Sequence, residues 1–424
     1  MARLGPKRPP RTKTRCSPAF RRKVRPRAVE RPLNARIGLV HLGDVSDPHT
    51  WSGTPASLLA ALRELGVEVS TIDARPPGRL RGLARDAVAL RRLRRSRRDS
   101  LRETVAAARG AALVAPESAP VYGWAVRRRL RADRALDGAI QLGSEYRLPS
   151  GLPFVTFEDM TIAQALAPEA RAYYRPWDDF SQREIERLLA LQRSIYASAR
   201  ACCTATQWAA DSVAADYAQP SDKVHVVGLG RNVEPPGCDR AWSPPRFLFV
   251  GVDWERKNGP AVLRAFARVR GSVPDAQLDV VGGHPPIDAE GVTGHGQLSR
   301  SSADEAQRLE QLFAAATCFV MPSRHEAAGI VFLEAAAAGL PSIAGTSGGA
   351  ASLVGEGGLA VDPDDGEALA EAMLRLADPD EARRLGARAK ARSELFTWRS
   401  TAERLVRALA PPGVELDGLA PYLS

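Results

Sequence analysis

The sequence PSRHEAAGIVFLEAAAAGLP occupies residues 322–341 and joins a Gly-marked loop to an Ala-rich stretch with strong helix propensity. Two glutamates, Glu326 and Glu334, lie eight positions apart in it. If the helix begins at Gly329 or Ile330, then Glu334 lies on its first turns. Glu326 then lies in the loop just before the helix, so the two carboxylates flank the helix start.

The backbone N–H groups at this helix start predict a phosphate site. They belong to Ala328, Gly329 and Ile330, and they and the positive end of the helix dipole attract anions. The flanking carboxylates can accept hydrogen bonds from sugar hydroxyls. The arrangement fits a diphosphate with a sugar on either side, as in a nucleotide-sugar. The alternative is that the Ala-rich stretch is only a good helix former and that Glu326 is only a charge in the loop before it.

The same residues carry a resemblance to a known family. The order Pro-Ser-x-x-Glu, seven residues, then Glu-Ala-x-Ala-x-Gly-x-Pro resembles the signature of retaining glycosyltransferases of the family 4 type. The likeness continues through residues 348–349, 357–363 and 396–398. It is close over residues 246–409 and looser over residues 36–232. It implies an α/β protein of GT-B architecture, with two Rossmann-like doubly wound domains that face each other across a cleft.

The hydrophobic pattern also predicts α/β organisation. A strand at 36–44, a helix at 56–65 and a strand at 67–72 form a βαβ unit, and the second half alternates strands and helices more regularly. The predicted chain begins with a disordered basic tail at 1–34 and a first Rossmann-like acceptor domain at 35–232, which carries a basic insertion at 75–109. A hinge at 233–245 leads to a second Rossmann-like nucleotide-sugar domain at 246–395. A C-terminal helix at 396–424 returns to the first domain.

The net charge of +10 is concentrated in two segments. Residues 1–36 carry 13 Lys and Arg against one acid, a net of +12, so residues 37–424 have a net charge of −2. Residues 75–102 hold 11 Arg and two Asp, a net of +9, with leucines among them. This pattern predicts a basic amphipathic helix that rests on anionic lipid, contacts nucleic acid or stays solvated. Lipid is favoured because lipid-linked acceptors are common in the resembling family, and nucleic acid is the least favoured partner.

The cysteine and hydropathy patterns argue against a zinc-binding, a membrane-spanning and a secreted protein. The chain has five cysteines without zinc-ligand spacing, and no apolar run approaches the ~20 residues of a membrane span. The basic N-terminus has no apolar segment typical of a secretory signal. We therefore expect a cytoplasmic protein, with peripheral attachment at the inner membrane face as an open alternative.

Two cations are predicted to stabilise a leaving diphosphate. Arg256 and Lys257 follow the strand at 246–252, at the edge of the sheet where ligands bind in such folds. The resembling family usually has an Arg one residue after the strand's Gly, where this chain has Val252. Arg256 is the candidate substitute. The alternative is a solvated charge pair at a helix start.

Three further candidates lie in the first half. In the resembling family, a Gly-rich loop approaches the donor diphosphate at the position of Gly53, although a structural turn is equally consistent with the sequence. Many members carry a His near the reacting carbon where this chain has Glu158, followed by Asp159. A carboxylate there could bind a sugar hydroxyl or stabilise oxocarbenium charge. The alternative is an exposed acidic turn.

The resemblance implies a hexosyl-type transfer from a nucleoside-diphosphate sugar to an acceptor hydroxyl, with retained configuration. Glu334 would hold the ribose, Glu326 the donor sugar, and the departing phosphate would take the acceptor's proton. No cofactor beyond the donor substrate is expected, and no metal, because the sequence at 362–364 resembles a turn of this family. The acceptor stays open: lipid-linked, saccharide or small molecule. The competing hypotheses are a nucleotide-sugar epimerase of the same fold and a basic protein that binds membrane or nucleic acid.

Overall fold

The computed structural model describes residues 35–48, 50–94, 99–132, 136–174, 177–233, 240–411 and 418–423. The basic tail predicted at 1–34 lies outside these residues, as do residues 234–239 of the hinge predicted at 233–245. In the described part of the chain, no helix combines the length and hydrophobicity needed to cross a membrane.

The first domain is built on a sheet of six parallel strands. Their order across the sheet is β2-β1-β3-β4-β5-β6, and β3 and β4 are buried along their whole length. Helices cover both faces of a parallel sheet, so its central strands are buried on both sides. The strands are β1 (Arg36–His41), β2 (Glu68–Asp73), β3 (Gly138–Leu142), β4 (Phe154–Glu158), β5 (Ala201–Thr204) and β6 (Val224–Val226).

Eight α-helices accompany this sheet in the described residues. They are α1 (Thr54–Glu64), α2 (Gly78–Arg92), α3 (Leu101–Val114), α4 (Ala119–Ala132), α5 (Ile162–Leu166), α6 (Pro168–Arg171), α7 (Gln182–Ser198) and α8 (Gln207–Ala215). The predicted basic insertion contains α2 and the start of α3. These two helices pack against each other through a small buried cluster of Ala89, Ala108 and Ala112. Leu83, Leu90 and Leu101 stay largely exposed, at 67%, 71% and 79%.

The second domain repeats this plan. Its six parallel strands have the order β12-β11-β10-β7-β8-β9. The strands are β7 (Arg246–Gly251), β8 (Gln277–Gly282), β9 (Val292–Gly294), β10 (Cys318–Met321), β11 (Ser342–Gly345) and β12 (Gly358–Val361), and the helices are α9 (Gly259–Ser272), α10 (Ala303–Ala315), α11 (Ile330–Ala337), α12 (Ala350–Val354), α13 (Gly366–Ala377) and α14 (Pro379–Ser393). The predicted fold of two doubly wound domains is confirmed.

The last helix, α15 (Trp398–Leu409), lies on the first domain. Its buried residues Ala402 and Leu405 belong to the same hydrophobic cluster as Leu39 and Ile140 of that domain's sheet. The Arg200 guanidinium also donates to the carbonyl oxygen of Leu409. The chain thus crosses between the domains twice, which places the ends of strands from both sheets around one cleft.

Candidate functional site

A cleft of about 1070 Å³ lies between the two domains. Loops that follow β1, β4, β7 and β10 line it, together with the start of α11. The carboxyl ends of parallel strands are the usual ligand edge of such sheets. The predicted site residues that line it are Gly53, Asp159, Arg256, Lys257, Glu326, Ala328, Gly329, Ile330 and Glu334.

The helix start predicted near Gly329 is present. α11 begins at Ile330, and Gly329 is its N-cap with φ 88°. A Cβ at this glycine would lie 2.9 Å from the Phe332 ring, and L-residues rarely adopt this φ. Within the described residues, the N–H groups of Ala328, Gly329 and Ile330 donate no hydrogen bond. They lie in the cleft lining, where an anion could accept from them.

Glu326 is buried at this helix start and faces two cations. Its carboxylate accepts a hydrogen bond from the Lys257 ammonium, and Arg256 Nη1 lies 3.4 Å from its Oε2. Burial works to raise the pKa of Glu326, but the charges of Lys257 and Arg256 bring it below its ordinary value. Burial lowers the pKa of Lys257, and Glu326 opposes that shift. The three side chains form one charged cluster. A ligand's phosphates could replace Glu326 as the partner of the two cations, and its hydroxyls could replace the cations as the partner of Glu326.

The turn after β7 positions the two cations. Asn258 caps α9 in the left-handed conformation (φ 62°), and its Nδ2 donates to the carbonyl oxygen of Pro363 at 2.7 Å. Arg256 is anchored by donating to the His325 carbonyl oxygen at 3.0 Å. Val252 lines the cleft with 73% of its surface exposed. Arg256 therefore brings positive charge to the cleft region where the resembling family has an Arg at the position of Val252.

Glu334 projects into the cleft from the second turn of α11. Its Oε2 lies 2.5 Å from Arg300 Nη2, and the side chain is 4% exposed. Its Oε1 is buried without a hydrogen-bond partner among the described residues. One carboxylate oxygen is thus available to a ligand hydroxyl, and the other is paired. Sequence reasoning missed Arg300, because a loop arginine 34 positions away gives no local signal of this contact.

The loop after β1 forms the opposite wall. Trp51 and Ser52 have positive φ values of 46° and 53°, which are strained for non-glycine residues, and Gly53 follows with φ 80°. The Trp51 indole Nε1 donates to Asp159 Oδ2 at 3.0 Å. Asn232 Nδ2 donates to the carbonyl oxygen of Ser52 at 2.8 Å. Strain held in place by side chains from distant segments is typical of binding sites.

The neighbours Glu158 and Asp159 face different ways. Asp159 lines the cleft, and burial raises the pKa of its carboxyl, with the charge of Glu326 adding to the shift. Glu158 does not line the cleft. Its Oε2 accepts hydrogen bonds from Gln192 Nε2 and Tyr196 Oη at 2.9 and 2.7 Å inside the first domain.

Burial raises the pKa of Glu158 to about 8. The expectation that Glu158 contacts the donor sugar is therefore corrected, because side-chain alternation along the end of β4 directs its carboxyl inward.

His325 joins the two domains. Its ring makes edge contacts with Tyr174 and Trp208 of the first domain, with centroids 5.3 and 5.4 Å away. Its Nδ1 lies 3.0 Å from Ser347 Oγ, and burial lowers its pKa. The two domains are thus in contact with each other at the residue next to Glu326.

The acidic turn at 362–364 has no metal-site geometry. Asp364 pairs with Arg324 at 2.5 Å. In the described part of the chain, no three His, Cys, Asp or Glu side chains cluster as metal ligands.

Residues 244–378 match the family described as Glycosyl transferases group 1. The GDP-mannose-dependent alpha-(1-6)-phosphatidylinositol monomannoside mannosyltransferase of Mycolicibacterium smegmatis is 35% identical over 173 residues, 37% of this chain and 45% of that protein. The D-inositol 3-phosphate glycosyltransferase of Corynebacterium glutamicum is 29% identical over 259 residues, 55% of this chain and 62% of that protein. The chain therefore spans about half the length of the curated relatives it matches.

The fold is shared with solved structures over most of the chain. Sucrose-phosphate synthase from Thermosynechococcus elongatus has a TM-score of 0.60 and 21% sequence identity, and the alignment covers 88% of this chain and 98% of that one. At this identity the likeness establishes the fold alone, and the fold is GT-B.

Proposed function

Since residues 244–378 match the glycosyl transferases group 1 and the chain has the GT-B fold, we propose that the protein is a hexosyl-type glycosyltransferase. It moves a sugar from a nucleoside-diphosphate sugar to an acceptor hydroxyl with retention of configuration. The observation that carries this proposal is the cluster of Lys257, Arg256 and Glu326 beside the free N–H groups at the start of α11.

Binding of the donor rearranges this cluster. A diphosphate carries more charge than one carboxylate, so it draws Lys257 and Arg256 toward its oxygens and also accepts from the N–H groups of Gly329 and Ile330. Glu326 is then free to accept from a hydroxyl of the donor sugar. Glu334, with its available Oε1, holds the ribose hydroxyls.

The chemistry needs no dedicated base on the protein. The glycosidic C–O bond to the diphosphate breaks, and the negative charge that grows on the leaving oxygen is stabilised by Lys257, Arg256 and the helix N-terminus. The acceptor oxygen bonds to the anomeric carbon on the same face. Its proton passes to the departing phosphate, so the products are a glycoside and a free nucleoside diphosphate.

A transfer assay with UDP- and GDP-sugars tests this function. We expect nucleoside diphosphate to be released in proportion to added acceptor, and the product's anomeric configuration, read by NMR, to match the donor's. Turnover should persist in EDTA. Interconversion of nucleotide-sugars without acceptor would instead show an epimerase, and an inverted product would contradict the retaining mechanism.

We further propose that the protein works at the inner face of the membrane on a lipid-linked acceptor. The support is the hairpin of α2 and α3, where Leu83 and Leu90 are exposed among arginines. Arginines near an anionic surface contribute about 1 kcal/mol each, screened over ~8–10 Å. Liposome co-sedimentation without residues 1–34 should show binding to anionic vesicles that high salt releases. Equal binding to neutral and anionic vesicles would contradict it.

A further inference from the structure

The outer surface of the first domain contains a second depression, of about 380 Å³. None of its lining residues belongs to the cleft between the domains. Three arginines from three different parts of the chain line it: Arg127 on α4, Arg147 in the loop after β3, and Arg187 on α7. The rest of the lining is small or apolar, apart from Glu117.

The three arginines are not neutralised by the protein. All three are exposed, and no ion pair or hydrogen bond joins any of their guanidinium groups to another side chain in the described part of the chain. Their guanidinium N–H donors therefore stay available to an anion that enters from solvent. The depression is therefore suited to a ligand with several negatively charged oxygens.

The single carboxylate in the lining is already engaged. Glu117 Oε2 accepts from Arg92 Nη2 at 2.9 Å, and Arg92 also pairs with Glu184 at 2.6 Å. Arg92 is 3% exposed and lies over the Phe180 ring, with 4.3 Å between its guanidinium carbon and the ring centroid. This buried network holds Glu117 against the protein and leaves the positive charge of the arginines in excess.

At this depression, α4 lies at ordinary van der Waals distance from the loop after β3. A Cβ at Gly123 of α4 would lie 3.4 Å from the carbonyl oxygen of Arg147. The neighbouring Trp124 is 41% exposed, and the Arg128 guanidinium lies 5.8 Å from its ring centroid. Trp124 and Arg128 follow the lining residues Gly123 and Arg127 along α4, but neither lines the depression itself.

We propose that this depression binds a phosphate ester, independently of the donor cleft. Guanidinium groups donate two parallel hydrogen bonds to phosphate oxygens, and three of them approaching from different elements can surround one phosphate group. The phosphate belongs to either a soluble phosphorylated compound or a lipid headgroup. Both sources share the chemistry that the arginines recognise.

Calorimetric titration of the full chain tests the site with two probes. One is glycerol 3-phosphate, and the other is dihexanoyl phosphatidic acid below its micelle concentration. The test variant replaces Arg127, Arg147 and Arg187 by Gln. The control variant replaces three exposed arginines elsewhere, Arg63, Arg264 and Arg388, by Gln, so that it loses the same charge.

We expect at least tenfold weaker binding in the test variant and wild-type binding in the control. Similar affinity for both probes would assign a soluble phosphate ester, and a clear preference for the lipid probe would assign a headgroup. The proposal is overturned if neither probe binds the wild type at millimolar concentration, or if the two triple variants lose affinity equally. Donor turnover in the cleft does not enter this test, so its outcome is separate from that of the proposed transferase function.

Discussion

The two walls of the cleft differ in charge and in how they are assembled. The wall from the second domain presents Lys257, Arg256 and the N-terminus of α11, which are suited to phosphate. The wall from the first domain presents Asp159 and the strained loop at Trp51, which are suited to hydroxyl groups. A donor with a charged diphosphate and an acceptor with a hydroxyl need these two surfaces. Under the proposed function, we expect the second domain to bind the donor and the first to position the acceptor.

Loss of the ammonium at Lys257 should have the largest effect. Lys257→Ala removes charge that stabilises the leaving diphosphate, and we expect kcat to fall about a hundredfold, or ~3 kcal/mol. Steady-state kinetics measures it. Lys223→Ala is the matched control, because Lys223 donates only to a carbonyl oxygen of the first domain in the described structure. A kcat within a few-fold of wild type would remove Lys257 from the mechanism.

The wall of the second domain could be predicted because its chemistry is local in sequence. Glu326, the free N–H groups and Glu334 lie within nine residues, so one loop and the first turns of one helix carry all of them. The contact between Lys257 and Glu326 follows from parallel strands whose ends meet at one edge. The two-domain fold was predictable for a related reason, since strands and helices alternate regularly along the chain.

The wall of the first domain could not be predicted in the same way. The contact between Trp51 and Asp159 joins residues 108 positions apart, and left-handed backbone at Trp51 and Ser52 contradicts their local preference. The opposite orientations of Glu158 and Asp159 depend on where β4 ends, and strand ends are the least certain part of a sequence prediction. Arg300 was missed because only the tertiary fold brings it to Glu334.

A substitution of Glu158 should change stability rather than catalysis. The folded protein holds a proton on this carboxyl up to about pH 8, whereas the unfolded chain releases it near pH 4.5. The folded state binds more protons in that window, so this group makes stability fall as pH rises. Glu158→Gln mimics the protonated acid and should raise the free energy of unfolding at pH 8 by ~2–4 kcal/mol.

Urea denaturation at pH 5 and pH 8 measures this effect, with the gain largest at pH 8. Turnover of Glu158→Gln should stay within about twofold of wild type, because its carboxyl does not line the cleft. A large loss of turnover in a variant with unchanged stability would show that Glu158 takes part in the site. Glu158 and Asp159 would then not differ in role.

Asp159→Asn should weaken acceptor binding by about tenfold, because an amide replaces a charge-assisted hydrogen bond. The expected result is a raised KM for the acceptor with an unchanged KM for the donor. Asp211→Asn serves as the control, since Asp211 is exposed on α8 and accepts from Gln207 at 2.7 Å. If the donor KM rises instead, the first domain contributes to donor binding and the division between the walls fails.

The smallest effect is expected outside the cleft. Replacing Leu83 and Leu90 by Gln should reduce partition onto anionic vesicles about fivefold, because these exposed side chains no longer enter the lipid interface. Leu395→Gln is a matched control, as Leu395 is 48% exposed outside the hairpin. Co-sedimentation that is unchanged by the hairpin variant would assign the binding to charge alone.

Calorimetric titration with free UDP and GDP tests the central claim most directly. If the second domain holds the nucleotide, one of these ligands binds the wild type and binds Asp159→Asn equally well, while Glu334→Gln loses about tenfold in affinity through its weakened ribose contact. Equal losses in Asp159→Asn and Glu334→Gln, or binding of neither nucleotide to the wild type, would contradict the assignment of donor binding to the second domain.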